Sequence, residues 1–176
     1  MMKSSAASTT ERRNTAHFSE CGDYRYLLTR EFGGESTCLF VMLNPSTANA
    51  EQDDPTIRRC ISFAQREDFG RLEVVNIYGF RSASPAVLFA ADDPIGDKND
   101  SEILAALDRA TSVIVAWGNH AEPERATVVQ RLIEHSGKPM KCFGLTKLGQ
   151  PKHPLYLSSD AELVPTSADH TAHTSS

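Results

Sequence analysis

Four continuous apolar runs are the feature that most constrains the fold of this chain of 176 residues. They occupy residues 37–43, 72–77, 112–117 and 140–145. A strand with one wet face alternates apolar and polar residues, whereas continuous apolarity is typical of a strand covered on both faces. The runs therefore predict a buried, mostly parallel, four-stranded central sheet.

The segments between these runs have helical periodicity. Asp54 and Pro55 suit the N-cap and the first position of a helix, and apolar residues recur from Ile57 at i, i+3, i+4 and i+7. Further helices are predicted near residues 100–110 and 123–136. Ahead of the first run, "HFSECGDYRYLLTREF" indicates an N-terminal β-hairpin that turns at Gly22-Asp23. The whole pattern predicts a three-layer α/β/α fold plus this hairpin.

Composition indicates one domain with two polar ends. Residues 17–165 form the predicted α/β domain, and residues 1–16 and 166–176, rich in Ser, Thr and Ala, are predicted to be disordered tails. The net charge of -5 argues against a large basic face for duplex DNA. No run has the length of a membrane span. The four cysteines lack a C-x-x-C pair, so we expect free, mostly buried thiols in a cytoplasmic protein, with no metal and no cofactor.

Each predicted strand is followed by polar residues. The four exits are "LNPST" (43–47), "NIYGFRSASP" (76–85), "WGNH" (117–120) and "GLTKLGQPKHPLYL" (144–157). In open α/β sheets, ligands bind outside the carboxyl ends of the strands. Since each exit carries more side-chain donors and acceptors than a turn requires, the sequence predicts a ligand site at this edge.

The first two exits supply most of the candidate residues. The Asn44 amide can orient a water or bond a base edge, and Pro45 restricts the backbone beside it. Ser46 and Thr47 can cap or touch a phosphate, although for this segment alone an Asx or Ser/Thr turn is the favoured explanation. Asn76 ends an apolar strand, where a buried amide needs a partner. A ligand or a neighbouring loop can be that partner.

The remaining exits and the acidic segment add further candidates. Arg81 can contact an anion or pair with a carboxylate. Trp117 and Gly118 can offer a stacking face with close backbone approach, although a single tryptophan is more often in the core. His120 lies in a loop beside a strand exit. Within "EQDDP", Asp53 is the carboxylate that helix capping does not require.

Basic residues of two segments are candidates for phosphate contacts. Lys147, Lys152 and His153 form a small cluster in the last loop, enough for one or two phosphates. Arg58 and Arg59 lie in the first predicted helix, where they fit surface charges as well as phosphate contacts.

Several of these motifs together resemble a known family. The chain is similar to the bacterial and phage DUF1643 family, a family of unknown function, over roughly residues 18–165. The motifs that carry the resemblance are "LNPSTANAEQDDPTIRRC", "VVNIYGFRSASP", "DPIGDKND", "VAWGNH" and "PKHPLYL".

The order of the motifs also resembles that of the uracil-DNA glycosylase superfamily. In that superfamily a first strand ends in G-x-N-P-G or G-x-x-P-G, a later strand ends in a base-recognising Asn, an A-L-G-like turn follows, and a final loop carries H-P-S. The corresponding segments here are "LNPS" (43–46), Asn76, "AWG" (116–118) and "HPL" (153–155).

This second resemblance implies roles for three residues. Asn44 would position the attacking water, Asn76 would bond the base edge, and His153 would stabilise the charge on the departing base, because an N-glycosidic bond breaks with negative charge developing on the base. A base taken from nucleic acid would also have to be flipped out of the stack. The expected ligand is a nucleobase, a nucleotide or single-stranded nucleic acid.

Two other functions stay open. A non-catalytic nucleotide or nucleic-acid binding module is favoured by Met42 and Leu155, which replace a Gly and a Ser of the glycosylase motifs. A phosphate-handling hydrolase would use Asp53 or Asp54 as the general base, with Arg58 or Arg81 on the phosphate. The oligomeric state also stays open.

Overall fold

A single seven-stranded sheet organises the computed structural model, which describes residues 13–166. Its centre is parallel, and both edges are extended by antiparallel strands. In chain order the strands are β1 (Thr15–Phe18), β2 (Arg25–Glu31), β3 (Thr37–Met42), β4 (Arg71–Asn76), β5 (Ser112–Val115), β6 (Met140–Cys142) and β7 (Val164–Pro165). They lie in the order β1-β2-β4-β3-β5-β6-β7.

Helices cover both faces of this sheet. The helices are α1 (Pro55–Arg66), α2 (Pro85–Ala90), α3 (Asn99–Arg109) and α4 (Pro123–Ser136), and Pro154–Tyr156 form one 3₁₀ turn. Leu39 and Val41 of β3 pack in one apolar cluster with α3 and α4, whereas Cys38 and Phe40 pack in a second cluster with α1. Both faces of β3 are therefore buried, which is the physical reason for its continuous apolarity.

The four predicted strands are the parallel centre of the sheet, but the prediction of a four-stranded sheet was wrong. The predicted hairpin, β1 and β2, joins the same sheet because β2 pairs with β4, and β7 pairs with β6 at the other edge. These additions give backbone partners to strands that would otherwise be edges. Thr15 and Ala16, placed by the sequence in the first tail, belong to β1. Residues 1–12 and 167–176 of the two predicted tails lie outside the described residues.

Other sequence expectations have direct structural counterparts. Asp54 is the N-cap of α1, where its side chain accepts the Ile57 N–H at 2.9 Å. Three thiols, those of Cys38, Cys60 and Cys142, are free and buried. Within residues 13–166, none of the helices combines the length and the apolarity that a bilayer crossing requires.

A close backbone crossing fixes the start of β4 against the turn between β2 and β3. The Gly70 carbonyl accepts the N–H groups of Phe32 and Gly33, and the Gly70 N–H donates to the Ser36 carbonyl at 3.0 Å. A Cβ at position 70 would lie 2.4 Å from the carbonyl carbon of Gly34. Since both sides of this contact are backbone, position 70 has no room for a side chain.

We expect Gly70→Ala to destabilise the protein by about 1–3 kcal/mol, the usual cost of inserting atoms into a packed site. Chemical denaturation measures this as a lower midpoint. Glu35→Ala, an exposed substitution in the same turn, is the control and should change the free energy of unfolding by less than about 0.5 kcal/mol. Equal effects of the two substitutions would contradict the steric argument.

Candidate functional site

A cavity of about 650 Å³ opens at the carboxyl ends of the parallel strands. This volume is in the range of small-molecule sites. Its walls come from the exits of β3, β4 and β5, from the start of α1 and from the loop that follows β6. Among the predicted site residues, the cavity brings together Asn44, Ser46, Asn76, Trp117, Gly118, His120, Lys152 and His153.

The exits of β3 and β4 are bonded into one unit. The N–H groups of Ile77 and Tyr78 donate to the carbonyls of Met42 and Leu43, at 2.9 and 3.0 Å. Further along, the Ser82 N–H donates to the carbonyl of Pro45 at 2.9 Å. These bonds continue the ladder beyond the strands and hold the two polar segments side by side.

Asn44 has an amide whose orientation is set by the surrounding backbone. Its Nδ2 donates to the carbonyls of Ser82 (2.8 Å), Pro45 (3.1 Å) and Phe80 (3.4 Å). Carbonyl oxygens accept only, so the nitrogen must be the atom on this side. The Asn44 Oδ1 is thereby left as an acceptor for a water or a ligand in the cavity.

The side-chain amide of Asn76 lies at the cavity wall. The residue is 1% exposed and lines the cavity, and its buried Nδ2 has no hydrogen-bond partner among the described residues. A buried donor without a partner costs about 1–3 kcal/mol. Such a group at a cavity wall is therefore suited to bond an acceptor atom of a ligand.

The backbone around Asn76 is held from the opposite side of the sheet. The buried Asn99 donates Nδ2 to the Asn76 carbonyl at 2.8 Å, and Arg125 donates Nε to the Ile77 carbonyl at 2.8 Å. Arg125 is itself paired with Asp100, with its Nη2 2.6 Å from Oδ1. The position of the Asn76 side chain is consequently set by groups that lie outside the cavity.

The loop after β6 carries His153 into the cavity as part of a narrow antiparallel turn. The Thr146 N–H donates to the Gln150 carbonyl at 2.7 Å, and the Lys152 N–H donates to the Gly144 carbonyl at 3.0 Å. This turn is attached to the exit of β5 by a bond of 2.8 Å from the Gly118 N–H to the Pro151 carbonyl.

His153 is the cap of the 3₁₀ turn that follows. Its Nδ1 accepts the Leu155 N–H at 3.2 Å. Burial lowers the pKa of His153 from its ordinary value of 6.5, and the carboxylate of Asp54 opposes this shift. A neutral imidazole that accepts at Nδ1 carries its proton on Nε2. The free edge of His153 is therefore an N–H donor.

Arg59 links this turn to α1. Its guanidinium donates to the carbonyls of Pro154 and Leu157. Arg58 donates to the Asp53 carbonyl at 2.9 Å and is exposed. Neither arginine lines the cavity, so Arg59 has a structural contact and Arg58 is a surface residue.

The rim of the cavity contains exposed side chains with different chemistries. His120 and Lys152 are exposed there, and Tyr156 is 89% exposed. Trp117 is buried, and its indole N–H donates to Gln150 Oε1 at 2.9 Å. Trp117 is thus part of the core wall, whereas Tyr156 presents its ring at the rim.

Four predicted site residues do not line this cavity. Asp53 accepts the Nε–H of the buried Arg30 at 2.8 Å, and the Pro45 carbonyl accepts from Ser82 and Asn44. Thr47 and Arg81 line a neighbouring groove of about 340 Å³ instead. The Arg81 guanidinium there lies 4.8 Å above the Phe18 ring. The two sites share Ser46, Ser82 and Ala83 at their boundary.

Asp54 is the carboxylate that lines the cavity. Its Oδ1 caps α1 through Ile57, and its Oδ2 accepts the Ala48 N–H at 3.3 Å. Both oxygens thus bond to backbone, which fits a capping role.

Arg25 is a lining residue that the sequence analysis missed. It belongs to the predicted hairpin, where a charged residue in a strand gives no sign of burial. Only the pairing of β2 with β4 brings it to this edge of the sheet.

Comparison with known proteins gives a family match. The family model described as "Protein of unknown function (DUF1643)" matches residues 25–155. No curated protein and no solved structure matches the chain significantly. The likeness to uracil-DNA glycosylases therefore stays a prediction from motif order.

The lowered pKa of His153 predicts a pH dependence of stability. Between the folded-state pKa and 6.5, the unfolded chain binds more protons than the folded chain, so stability falls as the pH decreases through this window. NMR titration should place the His153 transition below pH 6.5. His153→Asn retains a side-chain acceptor for Leu155 and should weaken the loss of thermal stability on acidification. A His153 transition at or above pH 6.5 would contradict the burial argument.

Proposed function

Because the chain belongs to the DUF1643 family, whose function is unknown, we propose from the cavity that it binds the base of a nucleotide or of single-stranded nucleic acid. The observation that carries this proposal is the unpartnered amide of Asn76 in the cavity wall. An Asn side chain presents a donor and an acceptor side by side, which is the pattern that bonds a base edge in two places. The rigid hold on the Asn76 backbone keeps this amide in place without a ligand.

Two further features support a base as the ligand. Tyr156 offers an exposed aromatic face at the rim, and stacking on aromatic rings is worth about 1–3 kcal/mol per base. The ring centroids of His153 and Tyr156 lie 6.4 Å apart, so a stacked base would also be close to the imidazole. Both rings lie in the segment that Arg59 attaches to α1.

Hydrolysis of the N-glycosidic bond is the second candidate function. It is favoured by the proton that the neutral His153 ring carries on Nε2. In this reaction water adds to the sugar carbon, the carbon–nitrogen bond breaks with its electron pair leaving on the base, and the proton that the water loses ends on the departed base. The Nε2–H of a neutral His153 can donate to that negative charge. Asn44 Oδ1 can accept a hydrogen bond from the attacking water, because Nδ2 of the same amide is anchored to carbonyls.

Binding ranks ahead of hydrolysis because the chain departs from the glycosylase motif at the cavity wall. Met42, which is bulkier than the glycine of that motif, lines the cavity. The hydrolase that would use Asp53 or Asp54 ranks third. Asp53 is paired with Arg30 outside the cavity, and both oxygens of Asp54 bond to backbone.

Asn76→Leu should weaken base binding without unfolding the protein. An apolar side chain of similar size removes an unsatisfied amide, so we expect little loss of thermal stability. Calorimetric titration with adenosine, guanosine, cytidine, uridine and thymidine should identify a bound nucleoside, and Asn76→Leu should weaken it about 10- to 100-fold, as expected for one bidentate base contact. Asn14→Leu makes the same change at an exposed asparagine outside the cavity, so it is the control and should bind like the wild type. If none of the five nucleosides binds, base recognition is refuted.

Base release measured by mass spectrometry tests the second candidate. The substrates are single- and double-stranded oligonucleotides and free nucleotides with modified bases. If the protein hydrolyses the bond, the wild type should release a free base. The rate of release should fall about 100- to 1000-fold in His153→Ala, the usual effect of losing a donor to developing charge, and it should also fall in Asn44→Ala. Arg58→Ala, exposed and outside the cavity, is the control. Absence of a released base from every substrate would leave binding as the function.

A further inference from the structure

The described residues bury three arginine side chains, and two of them have a carboxylate partner. Arg30, 3% exposed, pairs with Asp53, and Arg125, 7% exposed, pairs with Asp100. Arg25 is buried more deeply, at 2% exposure, yet forms no ion pair with any described residue. A buried charge without a partner is strongly unfavourable, so Arg25 calls for an explanation that Arg30 and Arg125 do not.

Most donors of Arg25 are also unused. Its Nη1 donates to the Ala48 carbonyl at 2.9 Å, and this is its one side-chain hydrogen bond within residues 13–166. The Nε–H is buried and has no partner there. A guanidinium has five N–H donors in a fork that matches the oxygens of phosphate or carboxylate. The contact with Ala48 alone leaves most of this capacity unfilled.

An irregularity in the hairpin turns Arg25 toward the cavity. The β1–β2 register shifts between His17 and Phe18, so that Phe18 pairs with Arg25 and Tyr26 is passed over. Regular alternation would put Arg25 and Leu28 on opposite faces, because they are three residues apart. In the structure both contact the α1 side, Leu28 in the α1 cluster and Arg25 at Ala48. Bulges re-aim side chains in this way and are common beside active sites.

The charge of the cavity differs in sign from that of the protein. Arg25 and Lys152 are the cationic lining residues, and Asp54 is the acidic one, whereas the whole chain carries -5. Burial lowers the pKa of Arg25 to about 10, and the nearby Asp54 opposes this shift. Arg25 therefore remains charged at neutral pH. The start of α1, which also borders the cavity through Thr56 and Ile57, adds the positive end of a helix dipole.

We propose that Arg25 forms an oxyanion subsite of the cavity and binds a phosphate group of the ligand. This inference rests on the proposed function for the base that accompanies the phosphate, and it narrows the ligand from a neutral nucleoside to a nucleotide. The Arg25 guanidinium supplies the charged donors, and Lys152 at the rim supplies a second positive charge.

Inorganic phosphate tests the subsite without any base. At equal ionic strength, phosphate in place of chloride should raise the melting temperature of the wild type, because a ligand that binds only the folded state stabilises it. Arg25→Met removes the charge and keeps an unbranched side chain, and should lose this increase. Arg25→Lys should keep part of it. Arg131→Met removes an exposed guanidinium from α4, away from the cavity, and should respond like the wild type.

The change in the melting temperature of the wild type tests the subsite by itself, even if Arg25→Met does not fold. No increase for the wild type, or an equal increase for a folded Arg25→Met, overturns the subsite. An increase that Arg25→Met loses and Arg131→Met retains supports it. Thermal melting in chloride alone shows whether each variant is folded.

Nucleotide titrations then separate the two sources of a phosphate. The ligands are a nucleoside, its 5′-monophosphate and a dinucleotide in which the phosphate is a diester. We expect the 5′-monophosphate or the dinucleotide to bind at least 10-fold more tightly than the nucleoside, and Arg25→Met to remove this difference. Tighter binding of the 5′-monophosphate identifies a free nucleotide as the source of the phosphate, and tighter binding of the dinucleotide identifies a polymer. Equal affinity of all three ligands overturns the inference.

These titrations also separate failure of the inference from failure of the base proposal. Arg25-dependent binding of inorganic phosphate together with no binding of any nucleoside would refute base recognition and leave the subsite. Nucleoside binding that depends on Asn76, without a response to phosphate, would refute the subsite and leave base recognition.

Discussion

Two hydrogen bonds at the end of β4 determine how the rest of the site is arranged. The carbonyls of Asn76 and Ile77 lie beyond the residues of β4 that pair with β2, so they need other hydrogen-bond partners. Asn99 and Arg125 supply them from the α3 and α4 side at 2.8 Å each. With its backbone satisfied from behind, Asn76 can hold its side chain at the opposite face without a protein partner. The polar wall of the cavity therefore depends on groups that never contact a ligand.

The ion pairs of this chain show which charges serve the fold. Glu73 lies fully buried in β4 and pairs with Arg71 and Arg109 at the end of the sheet opposite the cavity. Breaking such a pair leaves an uncompensated charge, at a typical cost of about 3–5 kcal/mol, which is why buried charges normally come in pairs. Arg25 departs from this pattern among the described residues. Of the six buried side-chain nitrogen and oxygen atoms that lack a partner there, two, Arg25 Nε and Asn76 Nδ2, belong to residues that line this cavity. Their coincidence at one place is stronger support for a ligand site than either group alone.

Local sequence signals predicted the parts of the structure that depend on local physics. The four apolar runs, the Asp54 cap and the strand-end position of Asn76 follow from covering both faces of a sheet and from the rules of helix capping. Arg25 could not be found in this way, because its burial depends on a register shift and on the pairing of distant strands. Asp53 and Asp54 are adjacent acids whose different fates depend on Arg30, 23 residues before Asp53. Tertiary contacts thus decide which polar residues line the cavity, whereas the polar segments at the ends of the strands could be predicted from the sequence.

The attachment of the last loop to α1 bears on whether the cavity exists before a ligand arrives. Short polar loops are usually mobile, and a ligand that binds to such loops must order them, which lowers its affinity. Here, Arg59 holds the carbonyls on both sides of the 3₁₀ turn, and the Gly118 N–H holds Pro151 just before it. His153 itself accepts the Leu155 N–H, so its ring orientation is fixed within the same turn. The wall that carries His153 and Tyr156 is therefore anchored to α1 and to the exit of β5, and it faces an amide fixed by α3 and α4. A ligand entering this cavity would meet groups already in position, which is the arrangement that selective recognition requires.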